Sequence, residues 1–495
     1  MNNKRIVYFI LLILILISTG CEKGEAYGND TLIIKDYDNV YKDRTNNYKI
    51  DVELDFDNYS YSGEQWTTYV NNTDVDLDEI YFHLYPNAFK SLETAPILFS
   101  QVNENPISYD EGFINIKSIS IGTVDLDYEI DKEVATILKV KLDKKLLSGE
   151  KTIINLKYNV KLPSAKDRFG YGEEIINLGN WYPIACVYDD NGWNLDPYYK
   201  LGDPFYSDIS NYQVTIKSDK DIVIASSGNI LQEEVLKTHK KYHIEGKLIR
   251  DFAWAASPDF NVLEKESNGT KIKLYYRDKN STMAKRSLIM GEDALNTFSK
   301  LFGKYPYGQY SIVMTEFPSG MEYPGLVFIG EDFFSPRYID ILEQIIVHET
   351  AHQWWYGLVG NNQVKEAWLD EALTTYSEVL YNDEIYGKDK GKDYFIQNIK
   401  IGYEYGKTYL GEDEIVNKPL DKFYSWDDYG ILVYTKGAMF INQIKEEYGR
   451  EVLLNILKTY FERYKFANAT TEDFIGVCEE ITGNDFTEIV NTWLY

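Results

Sequence analysis

The chain is 495 residues long, 44% hydrophobic and 26% charged, which is enough for two or three domains with a well-buried core. Its 78 acidic residues against 51 basic ones give a formal net charge of −27. A surface of that sign repels phosphate backbones and argues against a nucleic-acid partner.

The N-terminus reads as an export signal. Lys4 and Arg5 precede an unbroken apolar run, Ile6–Ile17, that is too short for a stable membrane-spanning helix but suits a signal peptide. The run ends in "ISTGC", small residues before a cysteine, which is similar to a bacterial lipobox even though Ser18 stands where leucine is usual. Cleavage between Gly20 and Cys21 is expected, with a lipid on Cys21 holding the protein to the bacterial cell membrane. The other cysteines, Cys186 and Cys478, show no metal-ligand spacing and fit two separate buried thiols. Residues 21–45 are polar apart from one short apolar patch and read as a tether.

From Tyr48 the hydrophobic period is two. "YKIDVELDF" sets Tyr48, Ile50, Val52, Leu54 and Phe56 on one face, and "LKVKL", "INLKYNVKL" and "YQVTI" repeat the pattern. Strands buried on one face belong to antiparallel sheets, so residues 46–262 are expected to form an N-terminal β domain. Past "TKIKLYYR" the spacing becomes helical. "TMAKRSLIMGEDALNTFSKLFG", "ILEQIIVHETAHQWWYG" and "EAWLDEALTTYSEVLYNDEIYG" read as three helices, the second with Gly357 as its C-cap. The C-terminus reads as two short helices broken at "TGN". Residues 263–495 are therefore a mainly helical second domain, and the fold class is α+β, multidomain.

"HETAHQWW" places His348 and His352, two of only five histidines, four residues apart on one helix face, where both can ligate one ion. Glu349 sits beside the first as a general base, the zincin arrangement. A tetrahedral catalytic zinc takes three protein ligands, and Glu371, on the next helix, can be aimed back at the same ion. Glu378, seven residues further on, returns to the same face; it either orients a ligand histidine or is a solvated surface glutamate. Asp370 reads as surface charge.

This histidine pair, followed after eighteen residues by Glu371, resembles the gluzincin aminopeptidases, the group of aminopeptidase N and leukotriene hydrolase. "SGMEYPG" (319–325) is similar to that family's exopeptidase motif, and "YTKGA" (434–438) to its Tyr-x-Lys-Gly segment. The resemblance implies a thermolysin-like catalytic domain holding one zinc ion and cutting peptides that have a free N-terminus. It further implies that Tyr434 stabilises the oxyanion and that Glu322 anchors the substrate's α-ammonium. The backbone of Gly320 and Met321 would hold the peptide as an added strand, and a second amine contact would come from the N-terminal domain, for which Glu173 is the candidate. Three features depart from the family pattern: Tyr323 replaces Asn, Ala372 replaces Gly, and longer relatives continue into a helical domain that closes the cavity, so a more open cleft is expected here. Two other functions stay open on sequence grounds. One is a thermolysin-like endopeptidase, which would not need Glu322; the other is a non-catalytic surface lipoprotein that binds peptides.

Overall fold

The computed structural model describes residues 31–96, 109–277, 281–410 and 414–495. Cys21 and the expected signal peptide lie outside these residues.

The N-terminal half is built on an eight-stranded sheet. Its strands run in the order Asn229–Val235, His239–Ile249, Ser210–Asp219, Asn46–Asp55, Ser60–Val70, Lys151–Lys161, Phe113–Ile121 and Val124–Asp125. Every pairing is antiparallel except that between Asn46–Asp55 and Ser210–Asp219, which is parallel. The period-two pattern lies as expected, with Tyr48, Ile50, Val52 and Leu54 buried and Asn47, Lys49, Glu53 and Asp55 exposed. Each buried Ile, Val or Leu contributes roughly 1.5–3 kcal/mol of transfer free energy, so the alternation fixes the register of this strand. Two four-stranded sheets and the two-stranded ribbon Tyr188–Asp189 with Gly192–Trp193 complete the half, with a buried aromatic core in which Trp181 meets Trp254 edge-on at 5.7 Å.

The sheet changes between Ser257, at the end of the strand Trp254–Ser257, and Asn261. From Asn261 onward the strands form a five-stranded sheet in the order Asn261–Ser267, Thr270–Tyr276, Gln309–Thr315, Leu326–Gly330 and Gly320–Met321. Helices α1 (Ser281–Leu301) and α2 (Ile339–Ala351) pack on it, and α3 (Trp368–Tyr386) packs on both helices. The short strand Gly320–Met321 is the edge strand and lies against α2. Among the described residues no helix is long and apolar enough to cross a membrane. Cys186 and Cys478 are free, buried thiols.

Two sequence expectations are corrected here. The segment read as a tether is docked from Thr31 onward: Leu32 is buried and bridges Tyr307, Ile33 N–H donates to the Pro306 carbonyl at 2.8 Å, and Tyr37 packs edge-on against Phe466. The apolar patch "LII" supplies the buried surface that a free tether would lack. Helix α2 ends at Ala351 rather than running to Gly357, because the chain turns at 352–356 and Gly357 N–H bonds the His352 carbonyl at 2.8 Å. His352 still keeps helical dihedrals at the C-cap, so the four-residue spacing survives.

Candidate active site

The two histidines come from the last turn of α2 and the glutamate from the first turn of α3. His348 Nε2 and His352 Nε2 are 3.2 Å apart, and each is 3.3 Å from Glu371 Oε2. Ligand atoms about 2.0–2.1 Å from a tetrahedral zinc stand about 3.3–3.4 Å from one another, so this triangle fits that ion. The outer nitrogens are committed. His348 Nδ1 pairs with Glu378 Oε1 at 2.6 Å, and His352 Nδ1 with the Trp355 carbonyl at 2.9 Å. An acceptor at Nδ1 holds the proton there and turns the lone pair of Nε2 toward the metal position.

Electrostatics agree with the geometry. Burial alone would push Glu371 up, yet the two imidazoles hold it well below the usual carboxylate range. Burial disfavours charge on His352, but Glu371 and Glu322 outweigh it and push the imidazole up to about 10. The site is built to hold positive charge, which is what a divalent cation supplies.

Glu349 is buried beside this triangle. Burial pushes its carboxyl up, with Glu322 and Glu371 adding to the effect and the imidazoles opposing it. Its position requires Gly320: a Cβ there would collide with Glu349 Oε1, so the edge strand reaches the base only because that residue is glycine. Oxygens of Glu322 and Glu349 lie within 4.8 Å of each other and of a His352 nitrogen. Gln363 Nε2 reaches Glu322 Oε1 at 3.3 Å. The Tyr434 hydroxyl donates to Glu371 Oε1 at 2.7 Å, and its ring lies 5.9 Å from that of His348. Tyr434 is brought in by close packing of the helix Gly437–Tyr448 on α3, where a Cβ on Gly437 would strike the Cβ of Ala372. The residue at 372 can therefore be alanine only opposite a glycine.

The triad, Glu322, Glu349, Glu378 and Tyr434 line a cleft of about 310 Å³. Residues of the C-terminal half form most of its wall, and the N-terminal half contributes Arg168 and Asp203. Three expectations change. Glu173 does not enter the cleft: its side chain is 79% exposed, and only its backbone N–H points inward, to Glu316 Oε2 at 2.7 Å. Asp203 is the acid that the N-terminal half brings to the cleft wall, buried and ion-paired with Arg168. Burial pushes Asp203 up to about 7 against the pull of Arg168, with Glu322 and Glu371 adding to it. Asp370 is not surface charge but buried, accepting from Asn361 Nδ2 at 2.9 Å and Gln363 Nε2 at 2.6 Å. Glu378, open on sequence grounds, is buried and holds His348. Neither Asp203 nor Gln363 lies in a motif, and both are brought in by loops whose course depends on tertiary packing.

Two histidines and a glutamate on consecutive helices, with a buried carboxylate beside them and an edge strand across them, have the donor set of a zincin-type metal site. Residues 287–493 match the peptidase family M1 domain. Aminopeptidase M1-D from Oryza sativa subsp. japonica is 24% identical over 298 residues, covering 57% of this chain and 34% of that protein. Aminopeptidase N from Lactobacillus helveticus is 24% identical over 444 residues, 82% of this chain and 49% of its own length. Over these residues the chain is similar to the gluzincin aminopeptidases. It spans between a third and a half of the length of these two curated relatives. In fold it is similar to a crystal structure of a mutant M1 zinc metallopeptidase from Deinococcus radiodurans, with a TM-score of 0.63 and 14% identity over 91% of this chain and 95% of that one.

Proposed function

We propose that the protein is a zinc-dependent aminopeptidase that removes N-terminal residues from peptides. The observation that carries this reading is the buried Glu322 carboxylate. It ends the edge strand with an oxygen within 4.8 Å of donor atoms of both Glu349 and His352. A carboxylate so close to the metal position leaves room for about one residue and supplies a charge-assisted partner for its free ammonium. From the N-terminal half, the acid that lines the cleft is Asp203, held by Arg168, rather than Glu173.

Zinc bound by His348, His352 and Glu371 would supply Lewis acidity at the attacking water and the scissile carbonyl. Glu349 takes the proton from the water and hands it to the leaving amine. The Tyr434 hydroxyl donates to the oxyanion that develops on the substrate carbonyl. The open side of Gly320–Met321 pairs with the substrate backbone as an added strand, an alignment that a sheet edge offers without rearrangement. Substrates are peptides with a free N-terminus. The run Ile6–Ile17 followed by "ISTGC" supports export and a lipid on Cys21, which would place this activity at the bacterial cell membrane.

The test is hydrolysis of an amino-acid anilide by the purified protein. Activity should vanish with a chelator and return with stoichiometric zinc. Glu349→Gln should keep zinc and lose activity, whereas His352→Ala should lose both. A wild type that binds no zinc after loading at neutral pH would sink the reading.

A further inference from the structure

The amine anchor is itself held by a chain of buried polar groups that the reaction does not consume. Gln363 lies in the loop between α2 and α3 and is buried. Its Nε2 is 2.6 Å from Asp370 Oδ2 and 3.3 Å from Glu322 Oε1. Asp370 Oδ1 in turn accepts from Asn361 Nδ2 at 2.9 Å, and Asn361 Nδ2 also reaches the Glu366 carbonyl at 3.0 Å. The amide lies between the two carboxyl groups and turns its NH₂ toward an oxygen of each. One hydrogen then serves each. The cost appears on the other side of the amide: Gln363 Oε1 is buried with no partner among the described residues. A glutamine kept in a half-satisfied pose is held there by what its NH₂ does.

We propose that Gln363 is a positioning residue that fixes Glu322 for recognition of the substrate's α-ammonium, using Asp370 as its fixed point; this rests on the aminopeptidase reading above. Asp370 immediately precedes the metal ligand Glu371 in the first turn of α3. The turn that delivers a metal ligand therefore also sets, through one amide, where the amine anchor stands. The distance from anchor to metal is the quantity that admits one residue and no more. Without the amide, Glu322 would lose the donor that ties it to Asp370.

The experiment measures inhibition of the zinc-loaded enzyme by two hydroxamates, leucine hydroxamate and N-acetyl-leucine hydroxamate. Both present the same metal-binding group and only the first has a free amine. Gln363→Met keeps the length and removes the donor. It should raise Ki for leucine hydroxamate roughly 10- to 100-fold, the range for a lost hydrogen bond to a charged group, and leave Ki for the acetylated compound within twofold. Gln363→Glu keeps the shape but places a third acceptor between the two, and should be worse than Gln363→Met on the free amine. Zinc stoichiometry should match wild type in both variants. A side chain that only fills space would give the reverse order, because glutamate is the closer isostere. Equal losses on both inhibitors, or no loss in Gln363→Met, would overturn the proposal while leaving Glu322 as the anchor. A wild type that does not prefer the free amine would overturn the anchor and this inference together.

Discussion

Replacing Glu378 by glutamine should weaken zinc binding without unfolding the protein. Glu378 stands two turns along α3 from Glu371, on the same face, and three donors converge on it. His348 Nδ1 lies 2.6 Å from Oε1, Gln344 Nε2 lies 3.3 Å from Oε2, and the Tyr394 hydroxyl also bonds Oε2. Glutamine offers one oxygen where the carboxylate offers two. If its NH₂ faces the histidine, Nδ1 must accept, the imidazole proton moves to Nε2, and the metal position loses a lone pair. If its oxygen faces the histidine, the NH₂ is set against Gln344 and Tyr394 and the side chain is displaced. Either way His348 becomes a poorer ligand. Loss of such an outer partner typically costs 10- to 100-fold in metal affinity, about 1.4–2.8 kcal/mol. Competition with a chromophoric chelator at neutral pH measures the zinc Kd, and the Tm of the apo form controls for general damage. A Glu378→Gln protein whose zinc Kd stays within twofold of wild type would refute the argument that this carboxylate sets the tautomer of His348.

Tyr434→Phe should lower kcat by roughly 10²–10³ with KM nearly unchanged, since the donor acts mainly on the transition state; a variant within twofold of wild type would reduce Tyr434 to packing against His348. Gly320→Ala should cut kcat by at least about tenfold at full zinc occupancy, because the new methyl displaces the Glu349 carboxylate; unchanged kinetics would mean that the edge strand yields instead of the base. Cys21→Ser should move the protein out of the membrane fraction or leave an uncleaved precursor, and identical fractionation without lipid labelling of the wild type would remove the anchor.

The metal triangle was legible because helix geometry is local. Residues four apart share a face, so His348 and His352 could be paired from spacing alone, and Glu371 followed from the need for a third ligand. The alternation around Ile50 and Val52 was legible for the same reason, as each residue reports which side of the strand it occupies. Tyr434 and Glu322 were not legible from residue type; only the family resemblance separated them from 43 tyrosines and a crowd of acids. Asp370 shows the limit of local reading. Its neighbour Glu371 faces the two histidines, and what buries Asp370 is a loop whose amides from Asn361 and Gln363 no periodicity describes. Glu173 fails in the opposite sense: the segment is in the right region, but it uses its backbone N–H inward and leaves its carboxylate in solvent. The acid that enters the cleft is Asp203, following Gly202, whose φ of +70° lets the chain turn close to Leu420 and Tyr429.

The central claim is that the cleft recognises a free N-terminus through Glu322. The most direct test is the wild-type ratio of kcat/KM for an amino-acid anilide over the same compound with its amine acetylated. Truncating one partner of a buried charge pair costs about 2–5 kcal/mol, so the ratio should lie between some 30 and 4,000, and Glu322→Ala should lose most activity on the free amine while keeping its zinc. A ratio near one, or efficient cuts inside a long N-blocked peptide, would contradict the account and make the protein an endopeptidase.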